Sequence, residues 1–103
     1  MKNKLLLKIF TPIGITIRTS SDYWVLIQKK HPEITNKLEL IKSTLKMPDL
    51  ITKSKADKSV LLFYRKINGY WLCVVAKYQE TEGFIITSYI TDKIKEGVKI
   101  WPS

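Results

Sequence analysis

One cysteine, Cys73, and one histidine, His31, occur in the 103 residues of the chain. That scarcity excludes an intramolecular disulfide framework and the usual structural zinc site, so neither metal nor other cofactor is expected. No Gly-rich phosphate loop is present, which argues against a nucleotide-dependent enzyme of small-molecule metabolism. Apolar runs fall well short of the roughly 20 residues that span a bilayer, so no membrane partner is expected. The opening MKNKLLLKIF has some character of a leader, but Lys8 interrupts it and no small-residue cleavage site follows. A cytoplasmic protein is the expectation. Acidic residues are also few, with 9 Asp and Glu against 18 Lys and Arg.

What is present is ordinary for a folded domain: 45% of residues are apolar and 26% charged. Neither a repeat nor a Gly/Ser linker divides the chain, so residues 1–103 read as a single domain. The net charge of +9 should attract polyanions through counterion release, without any reading of sequence. Residues 1–58 hold 12 of the cations against 5 acids, placing most of the positive potential in the first half.

Alternation of Ile13, Ile15 and Ile17 with Gly14, Thr16 and Arg18 predicts a strand over residues 13–19. Ser20, Ser21 and Asp22 then form a helix-capping cluster before a short helix over residues 23–30. The His31-Pro32 step bends the chain, and Pro32 suits the first turn of a second helix. Ile34, Leu38, Ile41 and Leu45 give that helix, over residues 33–46, one apolar stripe. Residues 50–53 read as a short strand. Residues 60–67 and 70–79 read as a hairpin around Asn68-Gly69, whose two positions tolerate positive φ. A turn at residues 80–83 leads to a strand over 84–90, Thr91-Asp92 caps a helical turn over 93–96, and residues 98–101 form an apolar tail with strand character. The fold class is α+β: an N-terminal strand and two helices packed on a three- to five-stranded antiparallel sheet.

A two-residue Asn-Gly turn sets Ile67 opposite Tyr70 and Arg65 opposite Leu72. A four-residue turn ending with Glu80 opposite Gly83 would set Ala76 opposite Thr87 and Val74 opposite Tyr89. Cross-strand partners share a face. The helices are expected on the greasier face, with Leu62, Tyr64, Trp71, Cys73 and Val75. Arg65, Tyr78, Thr87 and Tyr89 then gather on the other, where a guanidinium, hydroxyls and aromatic rings are equipped to grip a phosphate and stack on bases. Trp24, Trp71 and Trp101 read as core, and Cys73 as an inert buried thiol.

The ordered set His31-Pro32-Glu33, Pro48-Asp49, Tyr64-Arg65, Val74-Val75-Ala76-Lys77 and Gly83-Phe84-Ile85-Ile86-Thr87-Ser88-Tyr89 resembles the barnase–EndoU–colicin–RelE superfamily of small ribonuclease folds. The resemblance spans residues 24–101. It implies a metal-independent endoribonuclease, toxin-like in character, with RNA as substrate and an acidic cognate inhibitor protein as a second partner. Its helix histidine would fall on His31, its strand arginine on Arg65, and its hydroxyl-bearing strand on Thr87 and Tyr89. His31 would move the proton of the ribose 2′-hydroxyl or of the leaving oxygen, and Arg65 would stabilise the charge building on phosphorus. Lys29, Lys30, Lys77 and Tyr78 are the expected nucleic-acid contacts. The alternative is a non-catalytic basic nucleic-acid-binding or regulatory partner protein using the same charge.

Overall fold

The computed structural model describes residues 4–103; Met1, Lys2 and Asn3 of the leader-like opening lie outside the described residues. Leu5–Phe10 of that opening form a strand. Seven strands, β1 (Leu5–Phe10), β2 (Thr16–Ser20), β3 (Leu50–Ser54), β4 (Val60–Ile67), β5 (Tyr70–Gln79), β6 (Glu82–Thr91) and β7 (Gly97–Trp101), form one sheet in the order β1-β2-β6-β5-β4-β3-β7. Every neighbouring pair is antiparallel except β2 with β6, which is parallel. The α+β class stands, while the expected three to five antiparallel strands become a seven-stranded mixed sheet. None of the described helices is long and apolar enough to cross a membrane.

Helix α1 (Ser21–Lys30) starts where the capping cluster predicts, with the Ser20 hydroxyl accepting from the Tyr23 amide at 3.2 Å. The long second helix does not form as one piece. A 3-10 turn (Pro32–Ile34) comes first, Asn36 takes a φ of +71°, and only then does α2 (Leu38–Lys46) begin. A left-handed residue cannot continue a right-handed helix, and the Asn side chain is among the few that tolerate that region. The apolar stripe survives the break: Ile34, Ile41 and Leu45 are fully buried.

Both helices cover the sheet face that carries Leu61, Phe63, Leu72, Val74, Ala76 and Ile85, and the main core lies between. The expected packing was on the opposite face. The sheet extends further than the residues of β4 and β5 alone disclose. Ile17, Leu7 and Ile51, from strands on either side, complete an apolar surface that the central hairpin shows only in part. Trp24 and Trp101 pack against this core, whereas Trp71 joins a smaller cluster on the other face with Leu62, Tyr64 and Cys73.

Register explains the remaining differences. The Asn68-Gly69 turn, with φ of +45° and +85°, gives the predicted pairing of Ile67 with Tyr70 and Arg65 with Leu72. The next turn is also a two-residue one, pairing Gln79 with Glu82 around Glu80 at φ +58°. The register then shifts: Ala76 faces Ile85, but Val75 faces Thr87, leaving Ile86 as the extra residue of a bulge. A one-residue slip exchanges faces. Thr87 and Tyr89 therefore stand with Val75 and Cys73, on the side away from Arg65.

Residues 92–96 form bends rather than the expected helical turn. They cross the uncovered face from β6 to β7, and the Lys95 amide donates to the Tyr64 hydroxyl at 3.1 Å. Thr91 still caps the segment, accepting from the Lys93 amide at 3.1 Å.

Candidate nucleic-acid interface

The predicted catalytic residues fall in three separate settings. His31 ends α1, its amide donating to the Ile27 carbonyl at 2.9 Å. Its ring lies 5.7 Å from that of Tyr89, and Nδ1 is 3.5 Å from a Glu33 carboxylate oxygen. That carboxylate also reaches the Ile90 amide at 3.5 Å, so the group closes the outer side of β6 beyond the point where β2 leaves it. Arg65 stands on the helix-covered face. Its Nη1 donates to the Met47 carbonyl at 2.9 Å and towards that of Ser43 at 3.5 Å. A cation bonded to the last carbonyls of α2 satisfies groups the helix leaves open and opposes the negative end of its dipole.

Thr87 and Tyr89 lie on the opposite face, and both hydroxyls are buried. Burial pushes the Tyr89 phenol well above its usual range, and the neighbouring Cys73 raises it further. Burial likewise pushes the Cys73 thiol up to about 12 and the Tyr64 phenol up to about 12. None of the three is poised to trade protons near neutrality. Transesterification at phosphorus requires acid–base groups and a charge clamp around one atom. The structure joins His31 to Tyr89 and leaves Arg65 across the sheet, bound to α2.

Among the expected binding residues, Lys29 and Lys30 are exposed in the last turn of α1. Tyr78 leans into the main core, with the Lys53 ammonium 6.0 Å from its ring centre. Lys77 is the informative one. It projects from β5 on the face without helices, opposite Phe84 of β6. Phe84 is in turn beside Arg18 of β2, and Arg18 is opposite Lys8 of β1. Four adjacent strands thus present Lys8, Arg18, Phe84 and Lys77 in one cross-strand row, about 14 Å from end to end at the spacing of strands in a sheet. Phe10 stands beside this row, with Thr16 opposite it.

Both phenylalanines are open to solvent, Phe10 at 70% and Phe84 at 51%. Gly83 is what brings the three inner strands together here. A Cβ at that position would come within 2.7 Å of the Lys77 carbonyl and 2.8 Å of the Ile17 side chain. A shallow hollow of about 1,010 Å3 lies at the Arg18, Phe84 and Lys77 part of the row, lined by those three and the turn between β5 and β6.

Three acids stand at the row, and one of them, Glu80, lines the hollow from the turn between β5 and β6. Glu82 pairs with Arg18, and Asp57 lies 3.4 Å from the Lys77 ammonium. The Ser59 hydroxyl, followed by the Ser59 amide, holds the Asp57 carboxyl below its usual 3.8, and Lys77 contributes less. Asp57 is therefore satisfied within its own loop. Exposed pairs of this kind are weak, so either cation can exchange its acid for a phosphate at small cost.

Sequence reasoning missed Lys8, Phe10, Arg18 and Phe84 as a group. The signal was present in the alternation Leu7, Ile9 against Lys8, Phe10, which has the period of a half-buried strand. Comparison with known protein families, with curated proteins and with solved structures returned no match.

Proposed function

We propose that the chain is a non-catalytic binder of single-stranded nucleic acid, holding it against the sheet face that carries no helix. The supporting observation is the row Lys8, Arg18, Phe84, Lys77, with three cations and an exposed aromatic ring in direct register across four strands. Cations spaced along a groove neutralise successive phosphates, and exposed rings stack on bases whatever their identity. A face with outward-pointing rings favours an unpaired strand, because duplex bases are already stacked on one another. The net charge of +9 adds long-range attraction.

The test is fluorescence anisotropy with labelled RNA and DNA single strands of about 12 nucleotides, within the span such surfaces occupy. Affinity should fall with salt, with a logarithmic slope near −2 for about three phosphate contacts. Arg18→Glu and Lys77→Glu should each weaken binding by about tenfold or more, since each replaces a phosphate contact by repulsion. Phe84→Ala should weaken it by about fivefold or more through lost stacking. A duplex of equal length should bind less tightly. Binding that ignores all three substitutions would defeat the reading. Strand scission that disappears in His31→Ala would replace it with the ribonuclease one.

A further inference from the structure

β2 and β6 stay together for only three residues, 16–18 beside 82–84. Beyond Arg18 and Phe84 they part. β2 runs on through Thr19 and Ser20 into α1, while the bulge at Ile86 carries β6 away. The fork leaves a cleft of about 390 Å3, lined by Leu5, Arg18, Thr19, Tyr23, Phe84 and Ile85, among others. Tyr23 is fixed at this fork from two sides. Its amide donates to the Ser20 cap at 3.2 Å, and its hydroxyl donates to the Ile86 carbonyl at 2.8 Å. That second bond satisfies a carbonyl on the side of β6 that β2 no longer reaches. Bulges recur where a strand must re-aim side chains beside a site, and here one holds a gap open between neighbouring strands.

The exposed lining is mostly apolar; of its polar residues Ser20 and Tyr23 are already hydrogen-bonded, which leaves Arg18 and Thr19. Thr19 is 5% exposed, and its hydroxyl, closed to solvent, has no hydrogen-bond partner among the described residues. Buried hydroxyls are normally bonded, so an unbonded one on a residue beside a cleft marks a place for a polar ligand atom. Arg18 and Phe84 belong both to this cleft and to the basic row.

We infer that the cleft between β2 and β6 is a subsite for one unstacked nucleobase of the bound strand. The base lies against the Phe84 ring, its polar edge reaches the Thr19 hydroxyl, and its phosphate is held by Arg18. The inference rests on the proposed nucleic-acid binding and deepens it. A cleft of this size is within the roughly 300–1,000 Å3 of small-molecule pockets, and apolar walls with few placed polar groups are the usual lining. Charge continuity with the row selects a nucleotide over an uncharged aromatic molecule.

The probe is an abasic strand of about 12 sugar–phosphates, compared with the same strand carrying a single central uracil or adenine. The abasic strand measures the row alone. One base should tighten binding by about fivefold to tenfold, the gain expected from stacking a single base. Leu5→Trp, at a position 59% exposed, should abolish that gain by filling the mouth of the cleft. Thr19→Val, which keeps the shape and removes the hydroxyl, should reduce it. Neither change should alter the salt slope. Equal binding of abasic and one-base strands, with the salt slope intact, overturns the subsite and leaves the row standing. The same holds if the one-base gain survives both substitutions. Absence of binding to every strand overturns both.

Discussion

The chain has two arginines, and the sheet puts them on opposite faces with opposite work to do. Arg65, under the helices, is bonded to the carbonyls that end α2. Arg18, on the uncovered face, pairs with an exposed carboxylate beside an exposed phenylalanine. One guanidinium completes the fold and the other is held by an exposed ion pair alone among the described residues. An arginine in an apolar strand is therefore no guide to function until its face and its acceptor are known. Helix carbonyls use up a cation as fully as a phosphate would.

The two faces should separate most strongly at alkaline pH. The covered core is aliphatic apart from Phe63, whereas the smaller cluster on the other face holds Tyr64, Cys73 and Tyr89. Folding raises the Cys73 thiol from 9.0 to about 12 and the Tyr64 phenol from 10.0 to about 12. The folded state thus keeps these protons where the unfolded chain has begun to lose them. Their contribution is complete below pH 9 and is lost as pH rises towards 12. Thermal unfolding should show a Tm that falls steeply above pH 9, and Cys73→Ala or Tyr64→Phe should flatten the decline. A Tm indifferent to alkali would mean that the cluster is open to water.

Exchanging the arginines for alanine sharpens the same contrast at neutral pH. Arg65→Ala should cost about 1–2 kcal/mol in urea unfolding, through lost charge-assisted bonds to two carbonyls, and leave oligonucleotide binding unchanged. Arg18→Ala should do the reverse, with stability within about 0.5 kcal/mol of the parent and affinity lower by about tenfold. Equal effects of the two on binding would erase the distinction. The smallest change expected is Glu82→Gln, which removes the acid competing for Arg18. It should raise affinity by about twofold to fivefold with little effect on stability, as measured by the same anisotropy titration.

Much of the fold was legible wherever turn chemistry is local. Asn68-Gly69 fixed the register of β4 with β5, and Ser20 marked the start of α1, because each depends on a few adjacent residues. Elsewhere the determinants are tertiary. The bulge at Ile86 has no turn residue to announce it, yet it alone moves Thr87 and Tyr89 across the sheet. The covering of Phe63 and Val74 depends also on Leu7 and Ile17, which reach that face from strands distant in sequence. The candidate site shows the same limit. Lys77 is among the expected nucleic-acid contacts, but Arg18, with Lys8 opposite it, comes beside Phe84 only once β2 has paired with β6.

That pairing also has a consequence in time. The meander β4-β5-β6 is contiguous in the chain, whereas Arg18 meets Glu82 from 64 residues away. Closing so large a loop is slow compared with hairpin formation. Assembly is therefore expected to run outward from the meander, with the N-terminal pair docking late. A half-folded chain would already own its hairpins and still be unable to hold a strand, so capture of ligand would report the final act of folding.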